Sequence, residues 1–202
     1  MTSYLRGISV LLVLSVSLIG CALQSEDETD QDENVGEAAE ALTHRSALVH
    51  LQNLTGAPFK FQVMHQYTGD PTQASDFIYF NPGEDKYVLT VNYNTGFFTT
   101  GRDNWIVNGI ELKELDSSVT GSITVDGIEY PVFQIEGHVY VDLKRWKSGH
   151  GFGAEWKIHT LRAEDDGKVT TIAVFPSIVE FRSPSGRSST WFTHEYDIIP
   201  HF

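Results

Sequence analysis

The chain has 202 residues, 41% of them hydrophobic, and a formal net charge of −13, enough for one ordinary domain with its own core. A single cysteine excludes an intramolecular disulfide and any Cys-based zinc site. The acidic balance, without clustered Lys and Arg, excludes a nucleic-acid footprint and gives no attraction to anionic lipid headgroups.

Met1 to Arg6 carries one positive charge, and Ile8 to Ile19 is apolar but for Ser9, Ser15 and Ser17. This run falls short of the roughly 20 residues that span a bilayer and has the length of a signal-peptide apolar region. It ends in Leu18-Ile19-Gly20-Cys21, which resembles the bacterial lipobox. The spacing predicts a signal peptide over residues 1–20 and lipidation of the Cys21 thiol, with acyl chains as the membrane anchor. The alternative is an ordinary secretory signal in which Cys21 is incidental. Ala22 stands where Asp would mark inner-membrane retention in some bacteria, so the expected location is the cell envelope, outer membrane before inner.

Residues 22–43 hold eight acids, no base and no aromatic residue. Like charge at this density resists collapse, and residues 21–44 read as an acidic, flexible linker. From residue 45 to 202 the period is two, which predicts an all-β fold, a single antiparallel β-sandwich. In chain order the strands are Leu48–Leu54, Phe59–Tyr67, Phe77–Phe80, Lys86–Asn94, Asn104–Leu112, Ser122–Val125, Ile128–Ile135, His138–Leu143, Glu155–Leu161, Val169–Phe175, Ile178–Arg182 and Thr190–Tyr196. In Phe59–Tyr67, residues Phe59, Phe61, Val63, His65 and Tyr67 share one face. In Lys86–Asn94, residues Tyr87, Leu89, Val91 and Tyr93 share one face. Asp126-Gly127 is the strongest hairpin turn; Asn81-Pro82-Gly83, Asp165-Asp166-Gly167 and Pro184-Ser185-Gly186 are further turn punctuation.

Three segments, in order, carry a resemblance. They are His65-Gln66-Tyr67-Thr68-Gly69-Asp70; Val91 to Phe97 running on to Thr100-Gly101-Arg102-Asp103-Asn104-Trp105; and Trp156 to Leu161 with Asp165-Asp166-Gly167. Together they resemble the PUD family, the "up-regulated in Daf" domain, over about Leu48 to Tyr196, with extra hairpin-like material between Val119 and Lys147. The resemblance implies a β-sandwich, pairing with a related subunit as a homo- or heterodimer, and a more distant likeness to the aegerolysins, which bind membrane lipids. It implies no reaction.

The residues themselves carry no Gly-x-Ser-x-Gly elbow, no His-Glu-x-x-His, no phosphate loop and no dinucleotide fingerprint. No catalytic residue, metal or cofactor is expected. His65, on the apolar face of its strand, reads as a buried structural histidine, with a catalytic role as its rival. His159 has the opposite parity to Ile158 and is expected to point outward. A zinc site from His138, His150 and His159 has no supporting spacing, and Asp165-Asp166-Gly167 reads as a turn before a calcium ligand set. The candidate binding surface is Trp146, between Arg145 and Lys147 before a glycine-rich loop, read either as a loop-tip residue or, on parity, as an edge-strand core residue, with His150 in that loop and Tyr93 and Asn94 beside an Asn-Thr-Gly turn. The expected function is a membrane-anchored, non-catalytic module for a lipid, glycan or protein partner. A membrane-active protein like the aegerolysins is the first alternative and a hydrolase using His65 the second.

Overall fold

In the computed structural model, residues 42–96, 101–149 and 156–202 are described. Its strands are β1 (Thr43–Asn53), β2 (Phe59–Tyr67), β3 (Gln73–Ala74), β4 (Ile78–Phe80), β5 (Asp85–Thr95), β6 (Asp103–Leu115), β7 (Ser122–Val125), β8 (Ile128–Pro131), β9 (Phe133–Ile135), β10 (His138–Ser148), β11 (Lys157–Ile158), β12 (Val169–Val174), β13 (Ile178–Ser183) and β14 (Gly186–Asp197). The one helical element among the described residues is a 3₁₀ turn at Ala163–Asp165. The all-β class follows from the pattern: β2 alternates buried and half-buried over its whole length, as a strand with one core face must.

Twelve strands form one hydrogen-bonded sheet along the path β3-β2-β6-β10-β14-β13-β12-β1-β5, with β4, β9 and β11 attached at its flanks. The two facing layers are therefore continuous rather than separate. They are joined through β14, whose first half pairs with β13 and whose second half pairs with β10. The ends of the path also meet. The Gln73 side-chain amide donates to the Asn92 carbonyl at 3.2 Å and its side-chain oxygen accepts the Asn92 amide at 2.9 Å, so the sheet is nearly barrel-shaped. The pairing is antiparallel except between β1 and β12, which run parallel.

The enclosed core holds Phe59, Phe61, Phe80, Trp105, Phe181 and Phe192 among Val, Leu and Ile side chains. Burial of each large ring removes enough apolar area from water to be worth roughly 1.5–3 kcal/mol. Gly109 on β6 makes room for this packing: a Cβ there would lie 2.7 Å from Phe192 Cζ, the close approach that an in-strand glycine signals.

Two register shifts alter the expected faces. Between β1 and β5, Val49 pairs with Leu89 and His50 with Tyr87, so Val88 is an extra residue. Val88 and Leu89 are both buried, and Tyr87 turns outward, 51% exposed. In β10 the shift falls between Asp142 and Lys144, and the strand continues through Trp146 to Ser148 rather than ending at Leu143.

The Asp126-Gly127 turn has φ of 50° and 79°, the left-handed pair that a type I′ hairpin needs. Its strands β7 and β8 form a separate two-stranded sheet, mostly exposed. Gly127→Val should strain that turn but melt only the hairpin, because an element that buries little opens below the global free energy. Amide exchange at Ser122–Tyr130 should quicken while the global denaturant midpoint stays put. A fall in the global unfolding free energy above about 1 kcal/mol would contradict this and tie the hairpin to the core.

Candidate functional site

Three places gather polar or aromatic chemistry. The first is a buried polar centre inside the sheet. The His65 Nε2–H donates to Asp103 Oδ1 at 2.8 Å, with both residues at 1% exposure or less. The second carboxylate oxygen of Asp103 accepts the Leu161 amide at 2.8 Å, and its main-chain carbonyl accepts the His159 amide at 3.1 Å. The Trp105 ring lies 4.4 Å from the His65 ring, and its indole N–H donates to the His159 carbonyl at 3.0 Å. The centre thus ties β2, β6 and the segment after β11 together. His65 Nδ1 has no hydrogen-bond partner among the described residues.

His159 is buried, against the expectation that it points outward. β11 is only two residues long, so strand parity lapses at Ile158. His159 turns in to stack 5.6 Å from Phe181 and to meet Ser188 Oγ at 3.0 Å, while Ile158 is exposed. Burial holds the His159 imidazole below its usual pKa, against a smaller opposing pull from Asp165 and Asp103.

The second place is the Asp165-Asp166-Gly167 turn. Asp165 is wholly buried. Its Oδ1 accepts the Ser185 amide at 2.8 Å, and its Oδ2 accepts the Ser185 hydroxyl at 2.6 Å and the Arg162 amide at 2.7 Å. Asp166 accepts the Ser46 amide at 3.1 Å and the Arg45 guanidinium at 3.1 Å. Two adjacent carboxylates therefore clasp the β13–β14 hairpin and the start of β1. With both oxygens engaged by protein donors, Asp165 is a latch rather than a cation ligand. No group of three His, Cys, Asp or Glu side chains placed to hold a metal occurs among the described residues.

The third place is an open aromatic cleft of about 190 Å³ lined by Thr55, Ala57, Phe59, Glu111, Trp146, Pro176 and Phe192. Of the two readings of Trp146 the strand one holds: it is half-buried in β10 and packs against the core rather than standing at a loop tip. Its ring stacks on Phe192 at 5.5 Å, meets Phe59 edge-on at 6.3 Å, and touches His194 at 5.5 Å. Its indole N–H donates to Glu111 Oε2 at 3.0 Å. Gly109, opposite Trp146 in the β6–β10 ladder, lets the rings close over the strand. Glu111 is the site residue that sequence reasoning missed; its parity with Gly109 across from an aromatic strand was the available signal.

The other expected surface residues do not join this cleft. Tyr93 is 1% exposed, with its hydroxyl donating to the Arg162 carbonyl at 2.9 Å. Burial, with the charges of Asp165 and Asp166 beside it, pushes its phenol far above the usual range. It is a core residue, because it continues the inward face of Val91. Asn94 lines a separate polar cleft of about 220 Å³ with Tyr67, Gly101, Asp103 and Leu161, and its buried Oδ1 has no hydrogen-bond partner among the described residues. Gly101 lies flat on Tyr67, where any Cβ would run into the phenol ring. His150 and Cys21 lie outside the described residues. Trp191, not singled out from sequence, is 57% exposed beside its cross-strand partner Ile178.

The family model described as "Up-Regulated in long-lived daf-2" matches residues 43–192. The chain belongs to this PUD family. Its matched span starts with β1 and ends inside β14, so the aromatic cleft and the buried polar centre both lie within the PUD domain. No curated protein matches the chain.

Proposed function

We propose that this PUD domain is a non-catalytic binding module, presented on the bacterial cell envelope by a lipid on Cys21, and that it binds its partner at the Trp146 cleft. The observation that carries the reading is the contrast between the two centres. The acid–base pair His65–Asp103 is buried and spent on structure, while the aromatic cleft is open and holds one polar side chain with spare bonding capacity. Small-molecule sites have this makeup, an apolar lining with few convergent polar groups. The membrane anchor rests on the Leu18-Ile19-Gly20-Cys21 motif, and the outer membrane on Ala22.

A membrane-active role is favoured by the exposed pair Trp191 and Ile178, whose apolar area suits a lipid interface. Catalysis has one observation in its favour, the polar cleft that reaches Asp103.

The test is a lipid and glycan array probed with the full chain, with Trp146→Phe, and with Cys21→Ser in a parallel fractionation. Trp146→Phe keeps the packing on Phe59 and Phe192 but removes the indole N–H that holds Glu111. It should lower array binding about fivefold to tenfold with little change in melting. Cys21→Ser should move the protein from the membrane to the soluble fraction. Array binding indifferent to Trp146→Phe would place the binding site elsewhere, and Cys21→Ser protein that still takes up labelled fatty acid would refute the anchor.

A further inference from the structure

Resting on the reading of the Trp146 cleft as the binding site, we propose that the group bound there is a small organic cation, an alkylammonium. Trp146 is the half-buried ring of the cleft, backed by the buried rings of Phe59 and Phe192, and an aromatic ring attracts cations through its quadrupole. The only charged lining residue is Glu111. Its carboxylate is oriented by the Trp146 indole N–H at 3.0 Å and has no ion pair among the described residues. Lys144 stands opposite Glu111 in the β6–β10 ladder without reaching it. An oriented carboxylate that makes no ion pair, set beside the Trp146 ring, is complementary to positive charge.

The same lining argues against other ligand classes. An anion would meet the Glu111 carboxylate, the one charged side chain in the lining. A sugar needs several donors and acceptors, and the one other polar lining residue is already engaged: the Thr55 hydroxyl donates toward Asn53 Oδ1 at 2.8 Å and accepts the Ala57 amide at 3.2 Å. A neutral apolar ligand would leave the charge of Glu111 uncompensated in a partly desolvated wall, which is costly. The volume of about 190 Å³ suits one compact ammonium head rather than an extended chain.

The experiment is calorimetry of the full chain in an uncharged polyoxyethylene detergent, with choline chloride and its uncharged isostere 3,3-dimethylbutan-1-ol as probes. Choline should bind and the isostere should bind at least about tenfold more weakly. Glu111→Gln, which keeps the size and an acceptor for Trp146 but removes the charge, should cost choline about tenfold with an unchanged melting temperature. Phosphatidylcholine vesicles that compete with free choline would identify a lipid headgroup as the source; vesicles that do not compete would identify a free solute. Equal binding of choline and the isostere, or full choline binding by Glu111→Gln, would overturn the cation assignment. That failure is distinct from failure of the binding module itself: an array ligand lost on Trp146→Phe, with choline inert, would remove the ligand class and leave the site.

Discussion

Asp103→Ala is expected to be the most damaging single substitution in the domain, with a loss of about 3–5 kcal/mol. The carboxylate is 1% exposed and accepts from His65 Nε2 and from the Leu161 amide. Its removal strands two buried donors at once. A domain of this size has a total stability of roughly 5–15 kcal/mol, so the variant should sit near its folding threshold. Asp103→Asn should be milder, since it keeps one acceptor, but its amide N–H₂ must then face a donor. Denaturant midpoints for the three proteins check the order wild type, Asn, Ala. An Asp103→Ala midpoint equal to wild type would mean that the polar centre does not hold the sheet together.

Asp165→Ala should follow, with a loss of about 2–4 kcal/mol. Three donors converge on this buried carboxylate, from Ser185 and Arg162. The turn they fix brings β12, the β13–β14 hairpin and β1 into register, since the adjacent Gly167 amide donates to the Ser46 carbonyl at 2.7 Å. The calcium alternative makes a separable forecast. If Asp165 is a latch, calcium and a chelator should leave the wild-type melting temperature where it is. A rise with calcium that Asp165→Ala abolishes would restore the ligand reading.

These two acids show what the sequence could and could not disclose. Strand β2 was legible residue by residue, because a long strand with one buried face must alternate. The Asp126-Gly127 hairpin was legible because its backbone needs residues that accept positive φ. His65 was legible as a buried residue from parity alone. Its partner was not: Asp103 opens β6, and Asp165 belongs to what reads as solvent-facing turn punctuation. A carboxylate near a glycine suggests an exposed turn until distant partners, His65 for Asp103 and Ser185 for Asp165, are brought to it by the fold. The bulges at Val88 and before Lys144 were also hidden, since one inserted residue reverses every face beyond it. That reversal turned Tyr87 outward. The continuation of β10 past Leu143 seated Trp146 against Phe59 and Phe192 rather than at a loop tip. The parallel β1–β12 pair was beyond reach as well, because strand direction depends on the path between strands and not on their composition.

His65 and Asp103 form a buried pair, and the proposed binding site at Trp146 stands apart from it. The measurement that bears on this most directly is hydrogen–deuterium exchange at the imidazole Cε1–H of each histidine in the unmodified chain, followed by mass spectrometry. That exchange requires solvent access to the ring. His65, at 0% exposure, should exchange far more slowly than His138, whose side chain is 58% exposed beside Glu114. Exchange at His65 as fast as at His138 would contradict the account, since it would open the polar cleft through to the imidazole and make a catalytic centre at His65–Asp103 the better reading.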